Sequence, residues 1–359
     1  MSQLRTVQVL GGGAGSSAHV SSLAAGLIAR GVQVTVCAPA GAGRAHGLPA
    51  TGARFVAVPR RSDPAAVAAL RTACTGADIV HAHGLHAAVR AAIAISGRGT
   101  PLVMTWHSRV HAEGTHGRLL RLLERRAARA AAVVLGTSWE LVDRARRRGA
   151  RDARLAPAAV PASLFGGTAD ADKTRAELGA VGRPVLVSVT QDGHDTLLDA
   201  AREWQAMDPV PLLVVVGEGT RSGTLRHRIA DEGLPVVLTD GREDIGALLA
   251  AADVAVLPGR GDAGPLLAQE ALRRGVPLVA ARNSDMPELV GDAAAFVPPG
   301  DAAALAATVA RLLGDAEQRE RLVGAGRAQA AGWPTEDDTI AHVLSVYDEL
   351  AQPLATARA

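Results

Sequence analysis

The sequence predicts an α/β protein built from two Rossmann-like, doubly wound domains. Short apolar segments of strand length alternate with helical segments along the chain, which is the pattern of parallel βαβ units. With 359 residues, 48% of them hydrophobic, the chain exceeds what one hydrophobic core usually accommodates. A Pro- and Gly-containing stretch at 157–168 breaks every regular pattern. We therefore expect domains at residues 1–165 and 166–334, followed by a terminal helix at 335–359.

The first domain begins with a strand ending at Leu10, a Gly-rich turn at 11–15 and a helix from about residue 19 to residue 30. Such a turn lets the backbone approach a ligand closely, so Gly15 is a candidate binding residue. Dinucleotide-binding domains share this turn, but they place an acidic residue after the second strand. Here residues 38–40 read Ala-Pro-Ala, which argues against a dehydrogenase.

Two further strands of the first domain, DIVHAHG and PLVMTWH, end in histidines. Because ligands bind at the carboxyl ends of parallel strands, His107 is a candidate site residue. One of His81 and His83 is expected to be a hydrogen-bonded core group. A metal site formed by His81, His83 and His86 is not favoured, because no carboxylate or cysteine lies close by in sequence to complete it. We therefore expect no metal at these histidines.

The second domain carries two acidic residues across one strand-to-helix crossing. A short apolar strand at 252–257 leads into a Gly-rich turn, and a helix follows at 266–274. Asp262 and Glu270 stand at this crossing with seven residues between them. The turn aims backbone N–H groups, including those near Gly264, at the sheet edge, which favours binding of an anion.

This crossing resembles the signature of the retaining nucleotide-sugar glycosyltransferases of family 4, which have the two-domain GT-B fold. The matching residues are Glu270, Ala271, Gly275 and Pro277. The resemblance implies two Rossmann-like domains that face a central cleft. It places Glu270 at the donor ribose and His107 at the donor sugar. Asp262 stands where the family has its first glutamate, near the transferred sugar.

The same resemblance extends to the loops that would bind the donor. Gly15 lies in a loop that resembles the family's Gly-rich cleft loop, and Gly217 and Gly219 match a Gly-x-Gly after a strand. The family's Arg and Lys at the donor diphosphate are replaced by the segment 190–194, which reads TQDGH. Thr190 and His194 are the candidate diphosphate contacts. Two charge-assisted contacts of about 1.5–3 kcal/mol each are lost relative to the family pattern.

The resemblance implies transfer of a hexose-type sugar from a nucleoside-diphosphate sugar to an unknown acceptor, with retention of configuration and without a metal. Helix N-termini would stabilise the leaving diphosphate. The altered diphosphate loop leaves a second interpretation open, a catalytically silent GT-B pseudoenzyme that acts as a binding or scaffolding module. A phosphorolytic or epimerising enzyme would need a phosphate-binding cation set that the sequence does not reveal.

The charge is unevenly distributed along the chain. Residues 1–165 hold 21 arginines and 7 acidic residues, a net charge of +14, while residues 166–359 carry −12. This polarity predicts either attraction between the two domains or contact of the first domain with an anionic or lipid-linked acceptor. Nucleic acid is not expected, because only 2% of the residues are aromatic and no recognition module is present.

A basic helix is predicted within the first domain. One face carries Arg118, Arg121, Arg125 and Arg129, and the other is expected to carry Leu119, Leu120, Leu122 and Leu123. One interpretation is peripheral membrane contact, as held for the phosphatidylinositol mannosyltransferases of the resembled family. The other is a solvated arginine face over a leucine core, which the general arginine enrichment favours.

The cellular compartment is predicted from the cysteines and from hydropathy. Cys37 and Cys74 are far apart and show no disulfide or zinc spacing, which favours a reducing compartment. The sequence shows neither a signal peptide nor a run of about 18 apolar residues that could span a bilayer. We expect a cytoplasmic protein, with peripheral contact at the inner membrane face as the alternative.

Overall fold

The computed structural model describes residues 3–11, 14–41, 48–59, 64–107, 114–161, 170–190, 193–217, 223–239, 245–259, 264–282 and 286–351. The chain forms two compact units. Unit 1 comprises Met1–Pro161 and Pro334–Ala359, and unit 2 comprises Ala162–Trp333. The first segment of unit 1 ends at Pro161, four residues before the expected boundary at 165, and unit 2 ends at Trp333, one residue before the expected boundary at 334.

In the described residues β-strands and α-helices alternate, except that a 3₁₀ turn at Leu48–Thr51 stands between two strands and three successive helices follow the last strand. The strands are β1 (Arg5–Leu10), β2 (Gln33–Ala38), β3 (Arg54–Ala57), β4 (Ile79–His83), β5 (Leu102–Trp106), β6 (Val133–Gly136), β7 (Ala153–Leu155), β8 (Val185–Val189), β9 (Leu212–Val216), β10 (Val236–Thr239), β11 (Val254–Leu257), β12 (Leu278–Ala281) and β13 (Ala294–Val297). The helices are α1 (Ala14–Ala29), α2 (Pro64–Ala73), α3 (Leu85–Ala94), α4 (Gly114–Ala130), α5 (Trp139–Arg147), α6 (Ala171–Glu177), α7 (His194–Trp204), α8 (Gly223–Asp231), α9 (Ile245–Ala251), α10 (Gly264–Arg274), α11 (Met286–Val290), α12 (Ala302–Gly314), α13 (Ala316–Ala331) and α14 (Glu336–Ala351).

Each unit is built around one parallel sheet. In unit 1 the strand order is β3-β2-β1-β4-β5-β6-β7, and in unit 2 it is β10-β9-β8-β11-β12-β13. All observed pairings are parallel. The strand order reverses between β1 and β4 in unit 1 and between β8 and β11 in unit 2. In open parallel sheets, ligands bind beyond the carboxyl ends of the strands at such a reversal.

The central strands are apolar because helices cover both faces of each sheet. Successive residues of a strand point to opposite faces, so Val7 and Val9 of β1 join one hydrophobic cluster and Leu10 joins the other. Unit 2 repeats this arrangement with two clusters on its own sheet. The doubly wound α/β architecture predicted for both domains is therefore confirmed.

Helix α14 packs on α1 and completes one hydrophobic layer of unit 1. Its Ile340, Val343 and Tyr347 side chains are buried in the same cluster as residues of α1. The helix begins with the predicted capping box: Asp338 N–H donates to Thr335 Oγ1 at 3.1 Å, and Thr335 N–H donates to Asp338 Oδ2 at 2.9 Å. Within the described parts of the chain, no helix combines the length and apolarity needed to cross a membrane.

Candidate active site

Three histidines meet at the carboxyl edge of the first sheet. His83 ends β4, His107 directly follows β5, and His19 lies in the second turn of α1. His83 Nδ1 is 3.3 Å from His107 Nε2, and the rings of His19 and His107 have centroids 5.1 Å apart. The structure therefore brings His107 to the strand reversal of unit 1 together with two other imidazoles. Its contact with a donor sugar stays a prediction.

Of His81, His83 and His86, the metal set that the sequence did not favour, two lie away from this group. His86 lies on the exposed side of α3. His81 uses both ring nitrogens in hydrogen bonds, since Nε2 lies 2.6 Å from Thr105 Oγ1 and Nδ1 lies 2.6 Å from the Tyr347 hydroxyl. His81 is thus the hydrogen-bonded core group, and only His83 of the three faces the site.

A buried hydrogen-bond chain fixes the orientation of His83. The amide nitrogen of Gln8 donates to the Tyr347 hydroxyl at 2.9 Å, so that hydroxyl donates onward to His81 Nδ1. The amide oxygen of Gln8 accepts from His83 Nε2 at 2.9 Å. Since His83 carries its proton on Nε2, its Nδ1 presents a lone pair toward His107.

Burial also keeps these imidazoles neutral. It lowers the pKa of His19 to about 4, and burial together with the charge of His19 lowers the pKa of His81 to about 3. The pKa values of His83 and His107 lie well below the usual range, first because of burial and then because of the neighbouring histidines. Near neutral pH the cluster offers hydrogen-bond donors and lone pairs without net charge.

A buried arginine fastens the main chain beside this cluster. Arg90 of α3 is 3% exposed and donates to the carbonyl oxygens of Leu10, Pro59 and His86 at 3.2–3.3 Å. Burial lowers the pKa of its guanidinium. Leu10 ends β1, so Arg90 holds the strand end from which the Gly-rich segment leads to Gly15, the second residue of α1.

The candidate donor site lies at the carboxyl edge of the second sheet. Thr190 follows β8, Gly217 follows β9, and Gly264 begins α10 after β11. Gly217 has φ +149°, and a Cβ atom there would overlap the carbonyl oxygen of Thr190. Gly193, at φ +77°, lies against residues 258–259, where a Cβ atom would be 3.2–3.3 Å from their atoms. Glycine therefore permits a close approach of the loops after β8, β9 and β11.

His194 lies at the start of α7 on this edge. Gly193, in the left-handed region, is the N-cap, and the helix provides main-chain N–H groups at the strand reversal. The His194 Nε2 atom is buried and has no hydrogen-bond partner among the residues that the structure describes. A buried polar atom of this kind normally requires a partner. Together with the positive end of the helix dipole, it suits an oxygen of an anionic ligand.

Glu270 lies on α10 about two turns from the helix start. Its Oε1 atom accepts from Arg274 Nε at 2.6 Å, and Arg274 Nη1 donates to the carbonyl oxygen of Gly246 at 3.1 Å. The carboxylate side chain is 14% exposed. This hydrogen-bond pair holds the Glu270 carboxylate in one orientation on the helix that follows β11.

Several predicted positions cannot be placed. Asp262, Gly219 and Asp192 lie outside the described residues, as do the candidate substitute cations Arg221, Arg242 and Arg260. Sequence reasoning also missed residues that the fold brings to the site, namely Gln8, Tyr347, Arg90 and Arg274. Two carried a readable signal: Gln8 is polar within an apolar strand, and Arg274 follows Glu270 by four residues, one helical turn.

Helix α4 has a different orientation from the predicted one. Leu120, Ala127 and Ala128 face the core, whereas Leu119 is 55% exposed and Leu122 is 61% exposed. The predicted placement of all four leucines on the buried face is therefore wrong for these two. They share the solvent-facing surface with the exposed arginines Arg118, Arg121, Arg125 and Arg129.

A buried ion-pair group fixes this orientation. Glu124 of α4 is 1% exposed and accepts from Arg144 Nη2 at 2.6 Å and from Arg148 Nε at 2.7 Å. Glu124 points toward α5 and the residue after it. Leu122, two residues earlier and therefore on nearly the opposite side of the helix, points to solvent, as does the adjacent Arg125.

Comparisons with known proteins agree with this architecture. Residues 14–160 match a family model described as a glycosyl transferase 4-like domain, and residues 172–329 match glycosyl transferases group 1. Among solved structures, Anabaena HepE in complex with UDP and glucose has a TM-score of 0.80 at 20% identity, covering 97% of this chain and 100% of that chain.

Curated relatives match over shorter regions. An MMP alpha-(1->4)-mannosyltransferase from Mycolicibacterium hassiacum is 36% identical over 110 residues, which is 30% of this chain and 27% of the relative. An alpha-D-kanosaminyltransferase from Streptomyces kanamyceticus is 30% identical over 251 residues, 62% of this chain and 64% of the relative. The chain thus spans less than two thirds of the length of either relative. The two family models together account for most of the sequence, and the chain belongs to the family 4 glycosyltransferases of the GT-B type.

Proposed function

We propose that the protein transfers a hexose-type sugar from a nucleoside-diphosphate sugar to an acceptor, with retention of anomeric configuration. The observation that carries this proposal is the strand reversal of unit 2. Thr190, His194 and Gly264 lie there at the carboxyl edge of the sheet, and Gly264 begins α10, the helix that carries Glu270. The transferase names of the two curated relatives and the UDP and glucose bound to Anabaena HepE support it.

The proposed donor site binds the diphosphate mainly through main-chain groups. Helices α7 and α10 begin at this edge, and their first N–H groups have no partners within their own helices. His194 Nε2 adds a buried polar atom. Glycines at Gly217, Gly219 and Gly264 allow the backbone to approach the ligand, as Gly15 does in unit 1. This arrangement takes the place of the Arg and Lys that the family places at the diphosphate.

Glu270 is the proposed ribose contact. A carboxylate accepts hydrogen bonds from two neighbouring hydroxyl groups, and the hydrogen bond from Arg274 orients this carboxylate. In the same proposal His107 hydrogen-bonds a hydroxyl of the sugar, Asp262 lies near the transferred sugar, and the transfer needs neither a metal nor a cofactor. A neutral His107 suits a hydrogen bond to an uncharged hydroxyl, because burial lowers its pKa.

Calorimetric titration of the full chain with UDP, GDP and ADP tests the donor site. We expect micromolar binding of one nucleotide, and we expect Glu270→Ala to weaken it at least tenfold while the variant remains folded and keeps a cooperative thermal transition. Glu317→Ala, an exposed residue of the same unit, is the matched control and should bind normally. Absence of binding at millimolar concentration of all three nucleotides would favour the silent module over the enzyme.

We further propose that the acceptor is lipid-linked or otherwise anionic, and that α4 contacts an anionic membrane surface. The exposed side chains of Leu119 and Leu122 lie among four exposed arginines, so the helix offers apolar and cationic groups on one surface. Each basic residue near such a surface contributes about 1 kcal/mol. The same proposal includes a cytoplasmic location at the inner membrane face, and the two buried free thiols Cys37 and Cys74 are in keeping with a reducing compartment.

Cosedimentation with phosphatidylglycerol vesicles and with phosphatidylcholine vesicles tests the membrane contact. We expect binding to the anionic vesicles alone, reduced about thirtyfold in Arg121→Gln/Arg125→Gln because two basic contacts are lost. Arg311→Gln/Arg321→Gln removes the same charge from exposed positions of unit 2 and serves as control. Equal losses in the two double variants would mean that net charge, and not α4, governs the binding.

A further inference from the structure

We propose that His19, His83 and His107 form a binding site for a divalent transition-metal ion, for which Zn²⁺ is the best-suited candidate. One ligating nitrogen of each side chain lies within 4.8 Å of those of the other two. The three residues come from α1, β4 and the end of β5, so the fold of unit 1 alone assembles them. Imidazole nitrogens suit Zn²⁺, Cu²⁺ and Ni²⁺, whereas Mg²⁺ and Ca²⁺ prefer oxygen ligands.

The nitrogen positions are close to those of a tetrahedral site. With Zn–N bonds of about 2.0–2.1 Å, two ligand nitrogens of a tetrahedron lie about 3.3–3.4 Å apart. His83 Nδ1 and His107 Nε2 are already 3.3 Å apart. Only His19 has to approach, by about 1.5 Å at most.

The residues around His83 prepare it as a ligand. A metal-binding histidine almost always donates its other ring N–H to an oxygen that fixes its orientation. His83 Nε2 donates to Gln8 Oε1 at 2.9 Å, and Gln8 is itself held by the Tyr347 hydroxyl at 2.9 Å. The Nδ1 lone pair of His83 therefore points away from this chain of hydrogen bonds and toward His107. His81 belongs to the same chain and is not a ligand.

The expected occupancy is three protein ligands with one open position. Three histidines with an open fourth site are a known arrangement for zinc, and no carboxylate or thiolate joins the group among the described residues. A bound ion would engage His107 Nε2 and remove it from hydrogen bonding. Inhibition of sugar transfer by the metal is a consequence that rests on the proposed function, whereas metal binding itself does not.

The site is tested by titrating Co²⁺ and Zn²⁺ into the metal-free full chain without a histidine tag. We expect one Co²⁺ per chain with the intense visible absorption of tetrahedral cobalt, displaced by Zn²⁺. His107→Gln and His19→Gln should weaken binding more than a hundredfold, and Gln8→Ala about 10- to 100-fold because it removes only the positioning contact. His86→Gln and His227→Gln, at exposed positions, are controls with unchanged binding.

Two results would overturn the proposal: no stoichiometric Co²⁺ binding by the folded chain, or binding that His19→Gln and His107→Gln leave intact. His107 is only partly buried, so we expect its variant to fold even where a change at His83 disturbs the core. Nucleotide titration of the same preparations separates the two proposals, because unit 2 binds the nucleotide whether or not unit 1 binds the metal.

Discussion

Two ion pairs in this protein show how burial changes the contribution of a single charged residue to the free energy of unfolding. Glu124 and Arg144 lie 2.6 Å apart with side chains 1% and 14% exposed. Glu317 and Arg321 are also 2.6 Å apart, but their side chains are 82% and 61% exposed. Water screens the second pair, whereas loss of one partner in the first leaves a desolvated charge.

We therefore expect Glu124→Gln to lower the free energy of unfolding by about 3 kcal/mol, since Arg144 and Arg148 lose their buried counter-charge. Glu317→Gln should lower it by less than about 1 kcal/mol. Urea unfolding followed by circular dichroism measures both. Similar losses in the two variants would show that the buried group contributes no more than a surface pair.

The buried histidines predict how stability depends on pH. An unfolded histidine titrates near pH 6.5, but His19 and His81 stay neutral in the fold down to about pH 4 and pH 3. The unfolded chain then binds protons that the folded chain does not. Stability is complete above pH 6.5 and is lost as the pH falls toward 4, by about 1.4 kcal/mol per pH unit for each such histidine.

Unfolding free energies measured between pH 7 and pH 5 check this expectation. In the His19→Asn variant the free energy of unfolding should depend less steeply on pH, by about 1.4 kcal/mol per pH unit. The reason is that the variant lacks one histidine that is protonated only in the unfolded chain. His86→Gln replaces an exposed imidazole and should keep the wild-type slope. A slope that His19→Asn does not change would assign the acid sensitivity to other groups.

Among the elements, α1 and α14 depend on one glycine for their close packing. A Cβ atom on Gly26 would overlap Ile340 Cδ1 and lie 2.9 Å from Ile340 Cγ1. Ile340 is 4% exposed, so its branched side chain has little room to move. Arg30, the residue after α1, also pairs with Asp337 of α14 at 2.9 Å, but that pair is partly exposed and stabilises less.

Gly26→Ala should therefore destabilise the protein by about 1–3 kcal/mol through overpacking, although alanine favours a helix more than glycine does. Gly26→Ala should cost less in a chain that already carries Ile340→Ala, because the overlapping atoms are absent there. Thermal or urea unfolding of the two single variants and the double variant measures this coupling. Strictly additive losses would mean that the two residues do not contact each other in solution.

Across the whole molecule, the sequence predicted the features that local patterns determine, such as strands and turns. It did not predict helix orientations and hydrogen bonds that depend on residues distant in the chain. Apolar strands and glycine turns identify both sheets, and a strand end places His107 at an edge. The inward direction of α4 depends instead on Glu124 meeting arginines some 20 residues away. Tyr347 reaches Gln8 across 339 positions of the chain, a contact that no local pattern reveals.

The division into two units predicts where a nucleotide acts. Hydrogen exchange with and without the nucleotide that binds in titration should show protection at the starts of α7 and α10 and at the loop after β9. Strands β2 and β3 of unit 1 should exchange as before, because they lie away from the strand reversals. Protection spread evenly over both sheets would indicate general stabilisation by mass action and not a local site.

The placement of α14 affects how the chain matures on the ribosome. Unit 2 is one continuous stretch, while unit 1 needs α14, which begins at Glu336, well after the last strand of its sheet ends at Leu155. Until that helix emerges, Gln8 and His81 lack the Tyr347 hydroxyl, and the apolar side of α1 stays uncovered. The later-encoded unit is thus the first to be complete in the nascent polypeptide, which reverses the usual order of synthesis and folding.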